Sequence, residues 1–385
     1  VKFRVDRDAF AEAVAWTARA LPARPAVPVL AGMRLDIPAG ATSQVRLSSF
    51  DYEVSARAAV DVDTQEHGGV LVSGRLLAEI ARNLPPHPVE VAAEGSRVVV
   101  TCGSARFTLL TLPLEDYPTL PAIPKATGSL PADTLAAAVR QVAPAASRDD
   151  TLPMLTGMHM GFSGDTLTLA ATDRYRVAVR ELWWRPEHSD LSTSALVPAK
   201  TLADAARSFT AGGNVEIALS TVVSDGGVAT SQGEGMIGFD HNGRRLTTRL
   251  IDSEFVKYEH RFPTQFTARA EIPTAPLAEA VKRVALVADR NTPLRLSFTG
   301  GEVVLEAGSG DDAQALEAMD AKYEGEPMRV AFGPQYFLDG LGGIESESVY
   351  LNFTQPTKPV VITDVPGEAG AAPAFRYLVM PLRVA

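Results

Sequence analysis

Two pairs of adjacent carboxylates, Asp149-Asp150 and Asp311-Asp312, are spaced so that they could hold a metal ion or share a proton. Both pairs sit among turn residues, where aspartate usually serves local hydrogen bonds, and that reading outweighs a catalytic one. The six histidines (His67, His87, His159, His188, His241, His260) are scattered without metal-ligand spacing, and Cys102 has no second cysteine to join. The Gly-Ser-Gly at 308–310 lacks the strand, helix and lysine of a phosphate loop, and no Gly-x-Ser-x-Gly elbow occurs. Only an active site assembled from distant residues stays open as an enzymatic alternative. The chain reads as a binding protein, with no metal or cofactor expected.

What such a protein binds depends on its elements, and these repeat. At 385 residues the chain is long enough for two or three domains. Three segments, starting at Phe10, Leu135 and Leu277, place apolar or small residues at their first, fifth, eighth and twelfth positions. These are Phe10, Val14, Thr17 and Leu21; Leu135, Val139, Val142 and Ala146; and Leu277, Val281, Val284 and Ala288. That spacing predicts one face of an amphipathic helix, with Asp8, Asp133 and Thr274 placed to start it. A second helix recurs as VSGRLLAEIARNL, VPAKTLADAARSF and FGPQYFLDGLGGI, with Arg75, Lys200 and Gln335 at one place in it. From repeat one to two, both helices shift by the same 125 residues. Alternating β-branched runs such as VRLSSFDYEVSARAAV and TLTLAATDRYRVAVREL predict half-buried strands around the helices. The expected fold class is α+β: two helices on antiparallel sheet, three times over. Pro-rich connectors after Tyr117 and His260 place the domains at 1–122, 123–264 and 265–385.

The net charge of −10 argues at first against a nucleic-acid partner. The predicted helices nevertheless carry a small positive excess, so the acidic character lies elsewhere. Arg24, Arg148 and Arg290 fall just past the first helix of each repeat, and Arg75 and Lys200 are repeat equivalents in the second. These charges read either as solvated faces or as contacts to a ligand whose charge repeats, such as duplex DNA gripped by its phosphates without base readout. No apolar run approaches the length that crosses a bilayer, no leader is read at the start, and one cysteine fits a reducing, cytoplasmic setting.

With these features in view, the chain resembles the bacterial β sliding clamp family, the processivity subunit of DNA polymerase III. The resemblance covers the whole chain and rests on LPARPAVPVLAGM (21–33), SFDYEVSA (49–56), RDDTLPMLTGM (148–158), ATDRYRVAVRE (171–181) and YLVMPLRV (377–384), of an actinobacterial type. It implies three clamp domains per chain, a head-to-tail homodimer forming a six-domain ring, and helices lining the hole around DNA. The implied partners are duplex DNA, the polymerase catalytic subunit, the clamp loader, and other replication and repair proteins carrying clamp-binding peptides.

The resemblance also implies a peptide groove at Leu155, Thr172, Arg174, Tyr175, Arg176, Val177, Tyr336, Leu378, Val379, Met380, Pro381, Leu382 and Arg383. By themselves Leu155, Val177 and Met380 read as core. For the dimer it implies Phe107 and Leu109 on an edge strand against the helix end near Leu286. Two positions depart from the family at the groove: Val256 where proline is usual, and Gly333 where asparagine is common. They raise an alternative, a second clamp copy that resists a groove-blocking inhibitor. An alternative of another class is a repeat scaffold that binds proteins and not DNA.

Overall fold

Asp6 rather than Asp8 starts the first helix. In the computed structural model its carboxylate accepts from the amides of Asp8 (3.0 Å) and Ala9 (2.9 Å), capping α1 (Arg7–Thr17). Asp8 lies in the first turn, still favourable beside the positive end of the helix dipole. The other expected starters also fall inside their helices. Asp133 sits in the first turn of α3 (Ala132–Val142), and Thr274 opens α6 (Thr274–Val284). The Thr274 hydroxyl donates to the Ser346 carbonyl at 3.0 Å instead of capping. The physical reason is that strand Ala268–Pro273 runs straight into α6, so a neighbouring segment already receives the donors there.

The structure describes residues 1–40, 43–122, 124–209, 212–220, 235–288, 293–308, 313–367 and 372–383. The remaining helices are α2 (Gly74–Arg82), the single turn α4 (Pro153–Thr156), α5 (Ala199–Ala206) and α7 (Pro334–Leu341). No described helix is long and apolar enough to cross a membrane.

The predicted stripes are buried for three of their four positions: Phe10, Val14 and Thr17; Leu135, Val139 and Val142; Leu277, Val281 and Val284. Each fully buried large aliphatic contributes about 1.5–3 kcal/mol. The fourth position lies past the helix in all three repeats. A 3₁₀ turn (Ala18–Ala20, Ala143–Ala145, Ala285–Val287) closes each helix, and Leu21, Ala146 and Ala288 are then extended. The repeat thus extends beyond the pattern of apolar residues into the way each helix ends.

The chain divides into two compact units. The first holds Val1–Asp133, Arg185–His188 and Arg207–Leu250; the second holds Thr134–Trp184, Ser189–Ala206 and Ile251–Ala385. The first contains a five-stranded sheet, ending at strand Ala105–Leu110, and a nine-stranded sheet. The second contains another nine-stranded sheet and a four-stranded sheet that ends at Ala315–Asp320.

Each nine-stranded sheet is antiparallel where strands of successive repeats meet. In the first unit Val54–Asp61 pairs with Arg244–Arg249, and in the second Arg176–Trp183 pairs with Phe375–Val379. Two predicted runs are each broken into a pair of strands. VRLSSFDYEVSARAAV turns at Asp51, and TLTLAATDRYRVAVREL turns at Asp173.

Candidate functional site

The turn at Asp173 builds the site. The Asp173 carboxylate accepts from the amides of Tyr175 (3.0 Å) and Arg176 (3.2 Å), and the Thr172 hydroxyl donates to the Arg176 carbonyl at 2.6 Å. These bonds hold Arg174 at φ 81°, a left-handed conformation that most side chains avoid. The same turn directs the Arg176 guanidinium inward. It donates to Asp173 Oδ2 (3.0 Å) and to Asp339 of α7, and reaches the Tyr377 hydroxyl at 3.2 Å.

The Arg176 guanidinium also lies over the Tyr336 ring, 4.3 Å from its centroid. Burial opposes its charge, but Tyr377, Asp339 and Asp173 outweigh that and raise its pKa. Burial pushes the Tyr377 phenol up, so it stays protonated and donates to the Tyr336 carbonyl at 2.8 Å. Gln335 completes the cluster by donating to Asp339 at 2.7 Å.

Above this cluster lies an open cleft of about 890 Å³, lined by Arg148, Arg174, Tyr175 and Tyr336 among others. Tyr175 is exposed and stacks on Tyr336 at 6.3 Å. Among the predicted groove residues, Val177 and Leu378 belong to a buried apolar cluster with Ala170, Val179, Tyr258 and Val361. Met380, Phe255 and Phe262 pack on that cluster and are partly open. Leu155, Thr172 and Val379 are buried.

The tail is fixed by backbone bonds, from the Met380 amide to the Tyr175 carbonyl and from the Leu382 amide to the Ala331 carbonyl, both 2.8 Å. Pro381 is half-buried, and Leu382 and Arg383 are exposed. The result is a charged, tyrosine-rimmed cleft beside a partly open apolar patch with a methionine, a surface suited to short amphipathic peptides.

Sequence reasoning missed Asp173, Gln335, Asp339 and Tyr377, which hold Arg176 in place. Asp173, Gln335 and Tyr377 adjoin predicted groove residues in the sequence, whereas Asp339 does not. It also missed Phe255, which stacks on His159 at 5.2 Å, and Tyr258, whose phenol burial pushes up to about 12. Val256 lies half-buried between those two rings in sequence. Gly333 caps α7 with its backbone only, at φ −65° and ψ 122°. A β-carbon there would meet nothing closer than the Tyr336 ring at 3.9 Å, so packing does not require glycine.

Of the predicted DNA-facing cations, Arg24, Arg148 and Lys200 are exposed and have no ion-pair partner among the described residues. Arg148 and Lys200 line one cleft of about 500 Å³. Arg75 is used differently: its guanidinium donates to the carbonyls of Pro22 and Ala23, both at 2.9 Å, and so holds the segment that carries Arg24. Arg290 and the Asp311-Asp312 pair lie outside the described residues. Asp149 accepts from the amide (3.0 Å) and hydroxyl (2.7 Å) of Thr151, as a turn aspartate does. No group of three or more His, Cys, Asp or Glu among the described residues is placed to hold a metal ion.

Of the predicted dimer residues, Phe107 is half-buried on the edge strand Ala105–Leu110 and Leu286 is 84% exposed. Leu109, at 2% exposure, points into the core instead. Its neighbour Leu110, at 70%, is the leucine that faces outward. Side chains alternate along a strand, so these neighbours face opposite sides of the sheet.

Three sequence models of the DNA polymerase III beta subunit match the chain: the N-terminal domain at residues 1–121, the central domain at 129–257 and the C-terminal domain at 260–383. The chain is 55% identical over 385 residues to the beta sliding clamp of Streptomyces coelicolor, covering 100% of both. It is 43% identical over 385 residues to the beta sliding clamp homolog GriR of Streptomyces muensis, covering 100% of this chain and 99% of that one. Its structure is similar, with a TM-score of 0.88 and 26% identity, to a DnaN sliding clamp from Pseudomonas aeruginosa bound to griselimycin, covering 100% and 99% of the two chains.

Proposed function

The chain belongs to the DNA polymerase III beta subunit family, and on that premise we propose how its surfaces divide the work of a sliding clamp. It is a non-catalytic processivity subunit with three clamp domains, whose boundaries we take at 1–122, 123–264 and 265–385. Arg24, Arg148, Lys200 and Arg290 meet the phosphates of encircled duplex DNA, and Arg75 positions the Arg24 segment. The cleft at Arg174, Tyr175 and Tyr336, with the apolar patch at Met380 beside it, captures peptides of the polymerase catalytic subunit, the clamp loader and repair partners in the cytoplasm.

Strand Ala105–Leu110 ends one sheet and Ala315–Asp320 ends another, with Leu110, Leu286 and Leu316 all exposed. Pairing these two edges between two copies closes a head-to-tail, six-domain ring and removes both open edges.

One observation carries the DNA role: the turn that ends the first helix of each repeat is followed three or four residues on by a cation, Arg24, Arg148 or Arg290, in a chain of net charge −10. Phosphate contact at repeated positions is sequence-independent and salt-dependent. Replacing Arg24, Arg148 and Lys200 together with glutamine should leave the fold intact and lower retention on closed circular DNA. The salt dependence of binding should become shallower by about two to three charges. Full retention of the triple variant would remove the inner-face assignment. Protein binding with no retention on circular DNA at any salt would favour the scaffold alternative.

The second-copy reading rests on Val256 and Gly333. The 55% identity to an ordinary clamp, against 43% to GriR, weighs for the replicative role. Affinity for a groove-blocking inhibitor before and after Val256→Pro decides between them. The resistant-copy reading requires clearly tighter binding after the change, and equal binding removes it.

A further inference from the structure

The segment 144–148 stands as a wall between two clefts of the second unit. On one side lies the cleft of about 890 Å³ with Arg174, Tyr175 and Tyr336; on the other, the cleft of about 500 Å³ with Thr156, Lys200 and Ala203. Pro144, Ala146, Ser147 and Arg148 line both. The wall's backbone is tied down, with the Ser147 amide donating to the Leu155 carbonyl at 2.8 Å and the Asp149 amide to the Ser147 hydroxyl at 3.1 Å. Its one cation, Arg148, is exposed and has no hydrogen-bond or ion-pair partner among the described residues.

Asp149 is engaged by Thr151, and Asp173 and Asp339 by Arg176, while the exposed Asp150 lines the Lys200 cleft and forms no ion pair with Arg148. A long guanidinium on a fixed backbone, open to either side, can turn toward whichever anion arrives. A charge-assisted bond to phosphate or carboxylate is the strong kind that such a group forms.

We propose that Arg148 is a shared cation coupling the two clefts. A DNA phosphate in the Lys200 cleft and a carboxylate of a peptide in the Tyr336 cleft compete for it. Duplex DNA and acidic partner peptides therefore weaken each other's binding, whereas peptides without carboxylates are indifferent to DNA. The inference rests on the DNA-facing and peptide-binding roles proposed above. Because coupling between binding sites is reciprocal, either ligand can report it.

The test uses the full-length protein in its native oligomeric state, a short blunt DNA duplex, and a fluorescent leucine- and phenylalanine-containing peptide made with aspartates or with asparagines in their place. At low salt, saturating duplex should weaken the aspartate peptide by about five- to ten-fold, the lower part of the usual coupling range. It should weaken the asparagine peptide by less than about two-fold. Arg148→Gln should abolish the difference. Lys200→Gln should lower duplex affinity but leave the effect intact once duplex is saturating.

Failure of the duplex to bind overturns the DNA-facing role, and the coupling with it. Failure of both peptides to bind overturns the cleft assignment. If duplex and aspartate peptide each bind with unchanged or improved affinity in the other's presence, the coupling alone is overturned.

Discussion

The turn at 51–54 in the first unit and the turn at 173–176 in the second are the same backbone device put to different ends. In each, an aspartate accepts from the amides two and three residues on: Asp51 from Glu53 (2.9 Å) and Val54 (2.6 Å), Asp173 from Tyr175 and Arg176. In each, the next residue is a non-glycine at positive φ, Tyr52 at 75° and Arg174 at 81°. Each turn leads into the strand that pairs with the following repeat.

They differ in the side chains. Tyr52 sets its ring edge-on to Phe50 at 5.4 Å, and its carbonyl accepts from Arg249 Nε at 3.1 Å. At the fourth position Val54 brings no charge, whereas Arg176 brings a buried guanidinium and the carboxylates that hold it. A joint becomes the floor of a cleft by exchanging a valine for an arginine, with the backbone unchanged.

The largest expected effect tests that contrast directly. Arg176→Met leaves Asp173 and Asp339 without their cation, and removing one partner from a buried ionic cluster costs about 3–5 kcal/mol. Val54→Ala removes only two methyl groups from a half-buried site and should cost about 1 kcal/mol. Urea midpoints of both variants settle the matter. A loss at Arg176 no larger than at Val54 would break the distinction between the two turns.

A second difference lies two strands away. Strand Gly32–Ile37 carries Arg34 paired with Asp36 at 3.0 Å, while at the equivalent places strand Gly157–Ser163 has His159 and Gly161. Without that carboxylate, His159 stacks on Phe255, and burial lowers its pKa against a weaker upward pull from Glu259. Because the folded-state value lies below the unfolded one, the unfolded chain binds the proton first. The associated stability is present above the ordinary imidazole value and is lost as pH falls through it toward the lower folded-state value. The melting temperature should therefore drop on acidification below neutrality, by less than the Arg176→Met loss, and His159→Phe should flatten that drop. An unchanged pH profile in His159→Phe would show that the stack is not the sensor. Arg34→Gln should leave the profile as it is.

Much of this was legible in the chain before any coordinates. The helix stripes at Phe10, Leu135 and Leu277 were readable because a helix repeats its buried face over several turns, which averages out local error. Thr172, Arg176, Tyr336 and Met380, the side chains we propose for the groove, were expected from the resemblance to a family. What was not legible involved partners rather than types. Arg75 shows its charge in the sequence, but not that two carbonyls take it up. Asp339 meets Arg176 from far along the chain, and Asp173, three residues away, meets it only because the turn folds back. Leu109 and Leu110 differ by one position on a single edge strand, with too few turns of pattern to say which faces out.

The smallest effect is also the sharpest comparison. A non-glycine residue in the left-handed region carries strain that glycine relieves, offset in part by glycine's greater freedom in the unfolded chain. At Arg174 the side chain has no hydrogen-bond or ion-pair partner among the described residues, so Arg174→Gly should stabilise the fold by about 0.5–1 kcal/mol. At Tyr52 the same relief is set against the lost ring contact with Phe50, worth about 0.5–1.5 kcal/mol, so Tyr52→Gly should be neutral or destabilising. Two urea titrations against the parent chain suffice. Opposite signs mean that the first turn fills its strained position with packing, while the second holds a cation ready at the cleft at a cost in stability. Equal signs would place the functional difference between the turns in Arg176 alone.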